Sequence, residues 1–222
     1  MERISKEIVP KFAIEGTLTE AVPYGSGHIN DTVRLTCALE NGGQKRYILQ
    51  RMNDGIFKNP VELMENVMNV TSFLRKKIVE RGGDPERETL NVIRTVDGDN
   101  FLKDEDGDFW RMYIFIENAT SFDMVRTPED FYNSAVSFGN FQLLLQDYPA
   151  ATLHETIPNF HNTVSRFADF KKAVEEDVCG RAKEVQDEIR FVMEREADTH
   201  VICDALANGE IPLRVTHNDT KL

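Results

Sequence analysis

This sequence of 222 residues has only three cysteines and few long apolar runs, and its 26 basic side chains are outnumbered by 38 acidic ones. Cys37, Cys179 and Cys203 stand at no metal-ligand spacing, which argues against a zinc site or a disulfide framework and favours a reducing cytoplasm. The formal net charge of −12 argues against nucleic acid or an anionic membrane as the main partner. No stretch is long and apolar enough to cross a bilayer, and the first residues form no apolar signal core. We therefore expect a cytoplasmic protein, large enough for two lobes, that binds no nucleic acid and no membrane.

Strand patterns dominate residues 1–117. Residues 32–39 alternate apolar and polar side chains, as a half-buried strand does, and 46–50 is predicted to be the returning strand. A helix is predicted over 60–77, because Pro60 suits a first helical turn and apolar residues follow at helical spacing. Three more strands are predicted to form a meander, separated by Asp-Gly turn signals, over 90–96, 100–103 and 108–116.

Helical patterns dominate the residues from 128 onward. Three helices and one short final strand are predicted there, over 128–146, 160–178, 181–208 and 213–215. The expected fold class is α+β. An N-terminal antiparallel sheet lobe with one helix occupies 1–117, and the start of a mainly helical lobe occupies 118–222.

A glycine-rich hairpin over residues 24–31 is the first candidate site. Gly25 and Gly27 let backbone N–H groups approach a phosphate without interference from side chains. A dinucleotide-binding motif would need a helix after the glycines, and a Walker loop would need a lysine followed by serine or threonine. Two interpretations remain, a hairpin that covers a nucleotide and a plain turn.

The second candidate site is the run His217-Asn-Asp219-Thr-Lys221. Asp219 would accept or orient the proton of an attacking hydroxyl group. Lys221 would offset the charge of a transferred phosphoryl group, and His217 would brace the loop. The alternative is a solvated polar turn.

The third candidate site is the end of the strand over 46–50. A kinase needs a cation there to hold the nucleotide phosphates, paired with a carboxylate on the next helix. Gln50 occupies the usual basic position, Arg51 beside it is a cation, and Glu62 and Glu65 lie on the following helix. The alternative is an ordinary exposed arginine at a strand edge.

These candidates follow one another in the chain order of one mechanism. With that order, the sequence resembles the aminoglycoside phosphotransferase-like kinases, the small-molecule branch of the protein-kinase-like fold. The similarity is greatest to the members that phosphorylate N-acetylhexosamines. It covers nearly the whole chain and is carried by residues 24–32, 46–51, 63–66, 157–161 and, most specifically, 214–222.

The resemblance implies a two-lobed, protein-kinase-like fold. It makes Asp219 the catalytic aspartate and Lys221 the lysine-like position after it. The nucleotide would be covered by Gly25, Ser26, Gly27 and His28, its phosphates would lie near Gln50, Arg51 and Glu65, and its adenine would meet Ile116, Glu117 and Asn118.

The resemblance further implies ATP as the phosphoryl donor, with Mg²⁺ held by ligands that are expected beyond Leu222. We therefore expect a chain truncated inside its catalytic loop and inactive by itself. Its exposed helical faces would favour a homo-oligomer.

For the parent protein we expect phosphorylation of a small-molecule substrate, an amino sugar, at the anomeric hydroxyl of an N-acetylhexosamine. An amino alcohol, choline, homoserine or an aminoglycoside stays open as the acceptor. Nucleotide binding or partner interaction without catalysis also stays open.

Overall fold

The strands of the first half pair into one antiparallel sheet. The structure is a computed structural model that describes residues 1–25, 27, 29–119 and 124–217. The strands within these residues are β1 Thr17–Pro23, β2 Asp31–Ala38, β3 Gln44–Met52, β4 Val92–Ile93, β5 Leu102–Lys103 and β6 Phe109–Ile114. Their spatial order is β1-β2-β3-β6-β4, and β5 also pairs with β6.

One helix follows β3, and the other α-helices of the described residues follow the sheet. The helices are α1 Pro60–Glu80, α2 Pro128–Leu144, α3 Thr163–Glu176, α4 Gln186–Met193 and α5 Glu196–Ala207. The expected α+β class, with an antiparallel sheet in the first half, is therefore confirmed. None of these helices, in the part of the chain that the structure describes, is long and apolar enough to cross a membrane.

The alternation of side chains along the strands places the core on one face of the sheet. Leu35 on β2, Leu49 on β3 and Met112 on β6 share that face and are fully buried. The N-terminal segment covers it with helical turns at Ile4–Ile8 and Val9–Lys11. The opposite face of the sheet carries the half-buried polar side chains of Gln50 and Arg111, beside the buried Met52 and Tyr113.

The N-terminal segment is attached to the sheet by its backbone. Val96 N–H donates to the carbonyl of Lys11 at 2.8 Å, and Ala13 N–H donates to the carbonyl of Arg94 at 2.9 Å. Between them Phe12, only 2% exposed, packs into the core. Periodicity did not predict this segment, because it contributes a few anchoring side chains and no long amphipathic helix.

Local signals set the ends of α1. The Asn59 side chain accepts a hydrogen bond from Glu62 N–H at the start, and Pro60 opens the first turn. Gly82 follows the last turn with a φ of 77°, a conformation that favours glycine. The predicted helix over 60–77 is therefore confirmed and extends to Glu80.

A second core joins α1 to the residues around the end of α2. Leu74 and Ile78 of α1 pack with Leu145 and Tyr148, and Val215 contributes from the last described segment. The ring of Tyr148 meets that of Phe73 edge to face, with centroids 5.1 Å apart. This contact attaches the helical part of the chain to α1, the helix that follows β3.

Three predictions of secondary structure are wrong. The 90–116 region is not a meander, because β4 and β5 both pair with β6 and do not pair with each other. The helix predicted over 181–208 is broken between α4 and α5, where the Arg195 guanidinium lies 3.5 Å from the Phe191 ring centroid and donates to the Phe191 carbonyl at 2.7 Å. Residues 213–215 form no strand, since none of the described strands pairs with them.

We expect Phe12→Ala to lower the free energy of unfolding by about 3–5 kcal/mol, because it empties part of the core under β2, β3 and β6. Phe131→Ala is the matched control, since that side chain is 57% exposed and its loss should cost less than about 1 kcal/mol. Urea unfolding of both variants measures the difference. Equal losses would show that the N-terminal segment does not anchor the core.

Candidate functional site

A cleft of about 340 Å³ opens on the sheet face opposite the core. Its floor is formed by Ile48 and Gln50 of β3 and by Arg111 and Tyr113 of β6. Its walls come from the segments that flank the sheet, with Tyr24, Leu90, Phe115, Ile116 and Ala119. The cleft therefore brings Gln50 and Ile116 together, two residues that sequence reasoning placed at opposite ends of one nucleotide.

A hydrogen-bonded row crosses the floor of the cleft. The Gln50 side-chain N–H group donates to Thr32 Oγ1 at 3.0 Å. On its other side, Gln50 Oε1 accepts from Arg111 Nε at 3.1 Å and from Nη2 at 3.0 Å. The row follows from the strand register, which sets Gln50 opposite Thr32 on β2 and opposite Arg111 on β6.

The segment after β6 is held by Glu117. The Arg46 guanidinium donates to both carboxylate oxygens of Glu117, with an Nε–Oε1 distance of 2.8 Å, and Arg87 Nη1 donates to the Glu117 carbonyl at 2.7 Å. The hydrogen bonds from Arg46 hold the pKa of Glu117 below its ordinary value. Since Arg46 occupies its carboxylate, Glu117 fixes the segment, and Asn118 next to it takes a left-handed φ of 55°.

Ile116 lines the wall of the cleft. Phe115 N–H donates to the Arg46 carbonyl at 3.0 Å, so the strand pairing ends one residue earlier. Among the described residues, neither the N–H nor the carbonyl of Ile116 has a hydrogen-bond partner. A flat heterocycle with one donor and one acceptor edge would satisfy both groups.

The glycine hairpin connects β1 to β2 beside this cleft. Tyr24 N–H still pairs with the Thr32 carbonyl at 2.9 Å, and the Tyr24 ring meets that of Phe115 edge to face at 5.6 Å. Gly25 then turns the chain with a φ of 81°, and Gly27 follows in the loop. The other two residues expected to cover the nucleotide, Ser26 and His28, lie outside the described residues.

The structure does not bring Arg51 together with Gln50. As neighbours in a strand, the two side chains point to opposite faces of the sheet. Arg51 Nε donates to Asp31 Oδ2 at 2.8 Å, and Nη1 lies 3.2 Å from Asp108 Oδ2. These two carboxylates raise the pKa of Arg51, and they leave its charge compensated away from the cleft.

Glu65 also points elsewhere. Its Oε2 lies 2.7 Å from Nε2 of His154, a residue of the segment between α2 and α3. Asn66 beside it exchanges hydrogen bonds with the backbone of His154, at 2.8 and 2.9 Å. This pair of contacts holds α1 to the helical part of the chain and gives Glu65 no cation on β3.

His217 is the one predicted catalytic residue inside the described part of the chain. Its ring meets those of Phe138 and Phe141 on α2 edge to face, with centroids 5.0 and 5.6 Å apart. The predicted catalytic residues Asp219 and Lys221 lie outside the described residues. These two aromatic contacts attach His217 to α2.

Arg111 is the residue that sequence reasoning missed. It sits in the middle of β6, where the pattern Phe-Trp-Arg-Met-Tyr-Ile predicts a strand and gives no sign of which side chain it faces. Only the register between β3 and β6 places it beside Gln50. The signal that the sequence offered for this residue was an arginine between two apolar residues of a predicted strand.

A scan against models of known protein families finds none that matches this chain. Within residues 1–25, 27, 29–119 and 124–217, no group of three or more His, Cys, Asp or Glu side chains is placed to hold a metal ion.

We expect the Arg46–Glu117 ion pair to contribute stability at neutral pH. The folded-state pKa of Glu117 lies below its ordinary value of 4.5, so this stability is present above that pH and is lost as pH falls through the folded-state pKa. Glu117→Gln should lower the free energy of unfolding at pH 7 by less than about 1 kcal/mol, because both side chains are partly exposed and screened by solvent.

Urea unfolding of Glu117→Gln between pH 7 and pH 3.5 measures this effect. Glu40→Gln is the control, since Glu40 is exposed and forms no ion pair within the described part of the chain. A difference from the unaltered protein that persisted below the folded-state pKa would contradict the assignment.

Proposed function

We propose that this chain forms part of an ATP-dependent phosphotransferase, an enzyme that acts on the hydroxyl group of a small molecule. One observation carries the proposal. The cleft places Tyr24 beside the glycine hairpin, Gln50 at the end of β3 and Ile116 after β6 around one cavity. These are the three places where a kinase of this design contacts its nucleotide, and they come from distant parts of the chain.

The lining of the cleft suits a nucleotide whose adenine ring lies near Ile116 and whose phosphates lie near Gln50. Ile48, Leu90 and Phe115 offer apolar contacts for an adenine ring, whose edge would pair with the backbone of Ile116. The phosphates would then extend toward Gln50 and the glycine hairpin.

The chemical step of the proposal uses the run after Val215. An acceptor hydroxyl oxygen attacks the γ-phosphorus of ATP, the bond to the bridging oxygen breaks, and ADP leaves. Asp219 takes or orients the hydroxyl proton, Lys221 offsets the charge of the transferred group, and His217 braces the loop against α2. Mg²⁺ bound with ATP would supply further neutralisation of the phosphate charge.

The acceptor in this proposal is an N-acetylhexosamine, phosphorylated at its anomeric hydroxyl. Support for the acceptor comes from the sequence resemblance alone. An amino alcohol, choline, homoserine or an aminoglycoside would use the same nucleotide cleft.

Nucleotide binding without catalysis is the second candidate function. It is favoured by the neutral Gln50 at the phosphate-binding position and by the contact of Glu65 with His154. A lysine–glutamate pair between β3 and the following helix is part of the active arrangement in protein kinases. Here neither member is present in that role.

We expect ATP consumption by the protein that contains this chain when it is given N-acetylhexosamines, and we expect Asp219→Asn to reduce the rate on the order of a hundred-fold. Release of ADP with a panel of amino sugars, choline, homoserine and aminoglycosides measures it. Asp169→Asn is the control, an exposed aspartate on α3 that should change the rate less than about two-fold.

Thermal shift with ATP separates the two candidate functions. Stabilisation that needs Mg²⁺ and accompanies turnover supports the kinase. Stabilisation independent of Mg²⁺, with no ADP released from any acceptor, would favour the binding module.

We expect Gly25→Ala to raise the KM for ATP several-fold, because alanine resists the left-handed φ that shapes the hairpin over the cleft. Gly42→Ala is a matched control. Both glycines have a φ of 81° and open space where a Cβ would lie, but Gly42 turns the β2–β3 connection. Each variant should lose about 1 kcal/mol of stability, and only the first should change the KM. Equal KM values would remove the hairpin from the nucleotide site.

A further inference from the structure

Arg111 is an arginine of the sheet without a carboxylate partner. Arg34 pairs with Glu20, Arg46 with Glu117 and Arg51 with Asp31 and Asp108, so the other arginines of β2 and β3 are compensated. Within the part of the chain that the structure describes, Arg111 hydrogen-bonds only the neutral amide oxygen of Gln50. Its positive charge is therefore left uncompensated on the floor of the cleft.

The chemistry of the Gln50 amide fixes the direction of this contact. A guanidinium has only donors, so the atom facing Arg111 must be the amide oxygen. The amide N–H group then points to Thr32 Oγ1, 3.0 Å away. Gln50 thus holds the guanidinium in place and adds no charge of its own.

The guanidinium keeps donors available for a ligand. Nε and Nη2 contact Gln50 Oε1, while Nη1 has no hydrogen-bond partner among the described residues. The guanidinium carbon lies 5.3 Å from the Tyr113 ring centroid, which limits its movement. A planar fork with free N–H groups and no counter-charge is suited to a phosphate group.

We propose that Arg111 is the cation that contacts the nucleotide phosphates, and that Gln50 is its positioning residue. This inference rests on the proposed nucleotide-binding function of the cleft. In this arrangement the phosphate-binding cation lies on β6, whereas a kinase of this type carries it at the end of β3. It also explains a neutral side chain at position 50, since a lysine there would repel Arg111 at hydrogen-bond distance.

Calorimetric titration with ADP and with adenosine tests the inference, because the two ligands differ in their phosphates. Arg111→Met should weaken ADP binding about ten-fold or more and leave adenosine binding within about two-fold, because an Arg–phosphate contact is charge-assisted and adenosine offers none. Arg190→Met is the control, an exposed arginine on α4 that pairs with Asp187 and is not among the residues that line the cleft. It should leave both affinities within about two-fold.

Gln50→Glu provides an independent variant of nearly the same shape. The new carboxylate would pair with Arg111 and compensate its charge, so ADP binding should weaken as in Arg111→Met although Arg111 is still present. The thermal midpoint without ligand should not fall, which separates this effect from misfolding.

The outcomes distinguish the role of Arg111 from nucleotide binding in the cleft. Loss of ADP affinity in both variants with adenosine binding retained supports the inference. ADP binding that is unchanged in either variant overturns it and leaves the nucleotide cleft in place. An unaltered protein that binds neither ligand overturns the proposed function and the inference together.

Discussion

The register between β2, β3 and β6 is the constraint on which the rest of the structure depends. Side chains alternate between the faces of a sheet, so a slip of one residue would exchange the core face for the cleft face. In the observed register Leu49 lies in the core and Gln50 lies in the cleft. Burial of Leu35, Leu49 and Met112 on one face therefore also aligns Thr32, Gln50 and Arg111 on the other. Hydrophobic burial supplies the energy and the polar row follows from it.

Two separate packing arrangements shape the cleft from outside the sheet. The N-terminal segment covers only the core face, which leaves the other face open. The second core and the contact with His154 attach the helical part of the chain to α1, the helix that follows β3. Much apolar surface on α2 and α5 stays exposed, including Phe131 and Ile202. The homo-oligomer expected from such surface stays a prediction, because exposure alone does not identify what covers it.

Features that depend on neighbouring residues could be predicted from the sequence, and features that depend on register could not. Pro60 and the glycines after residue 81 mark α1 through local backbone rules, and the prediction was right. Strands β4 and β5 have two residues each, too short for a period-2 pattern to show that both pair with β6. The break at Arg195 is a local departure of the backbone from helical geometry, with a φ of −110° and a ψ of 21°, and the apolar periodicity of the sequence does not reveal it. Arg111 was missed because its position beside Gln50 depends on the register between β3 and β6.

In the proposed kinase, the neutral Gln50 and the contact of Glu65 with His154 would have one common cause. A cation on β3 needs a helix carboxylate to hold it, and that carboxylate needs the cation to offset its own charge. If the cation is moved to β6, the carboxylate on α1 has no partner within the cleft. Glu65 is then free to contact His154, which it does at 2.7 Å. Arg111 in turn needs a holder that is polar but uncharged, because a carboxylate would compete with phosphate for the guanidinium. Gln50 supplies such an amide oxygen, so the neutral residue at position 50 and the contact of Glu65 with His154 both agree with the proposed phosphate site at Arg111.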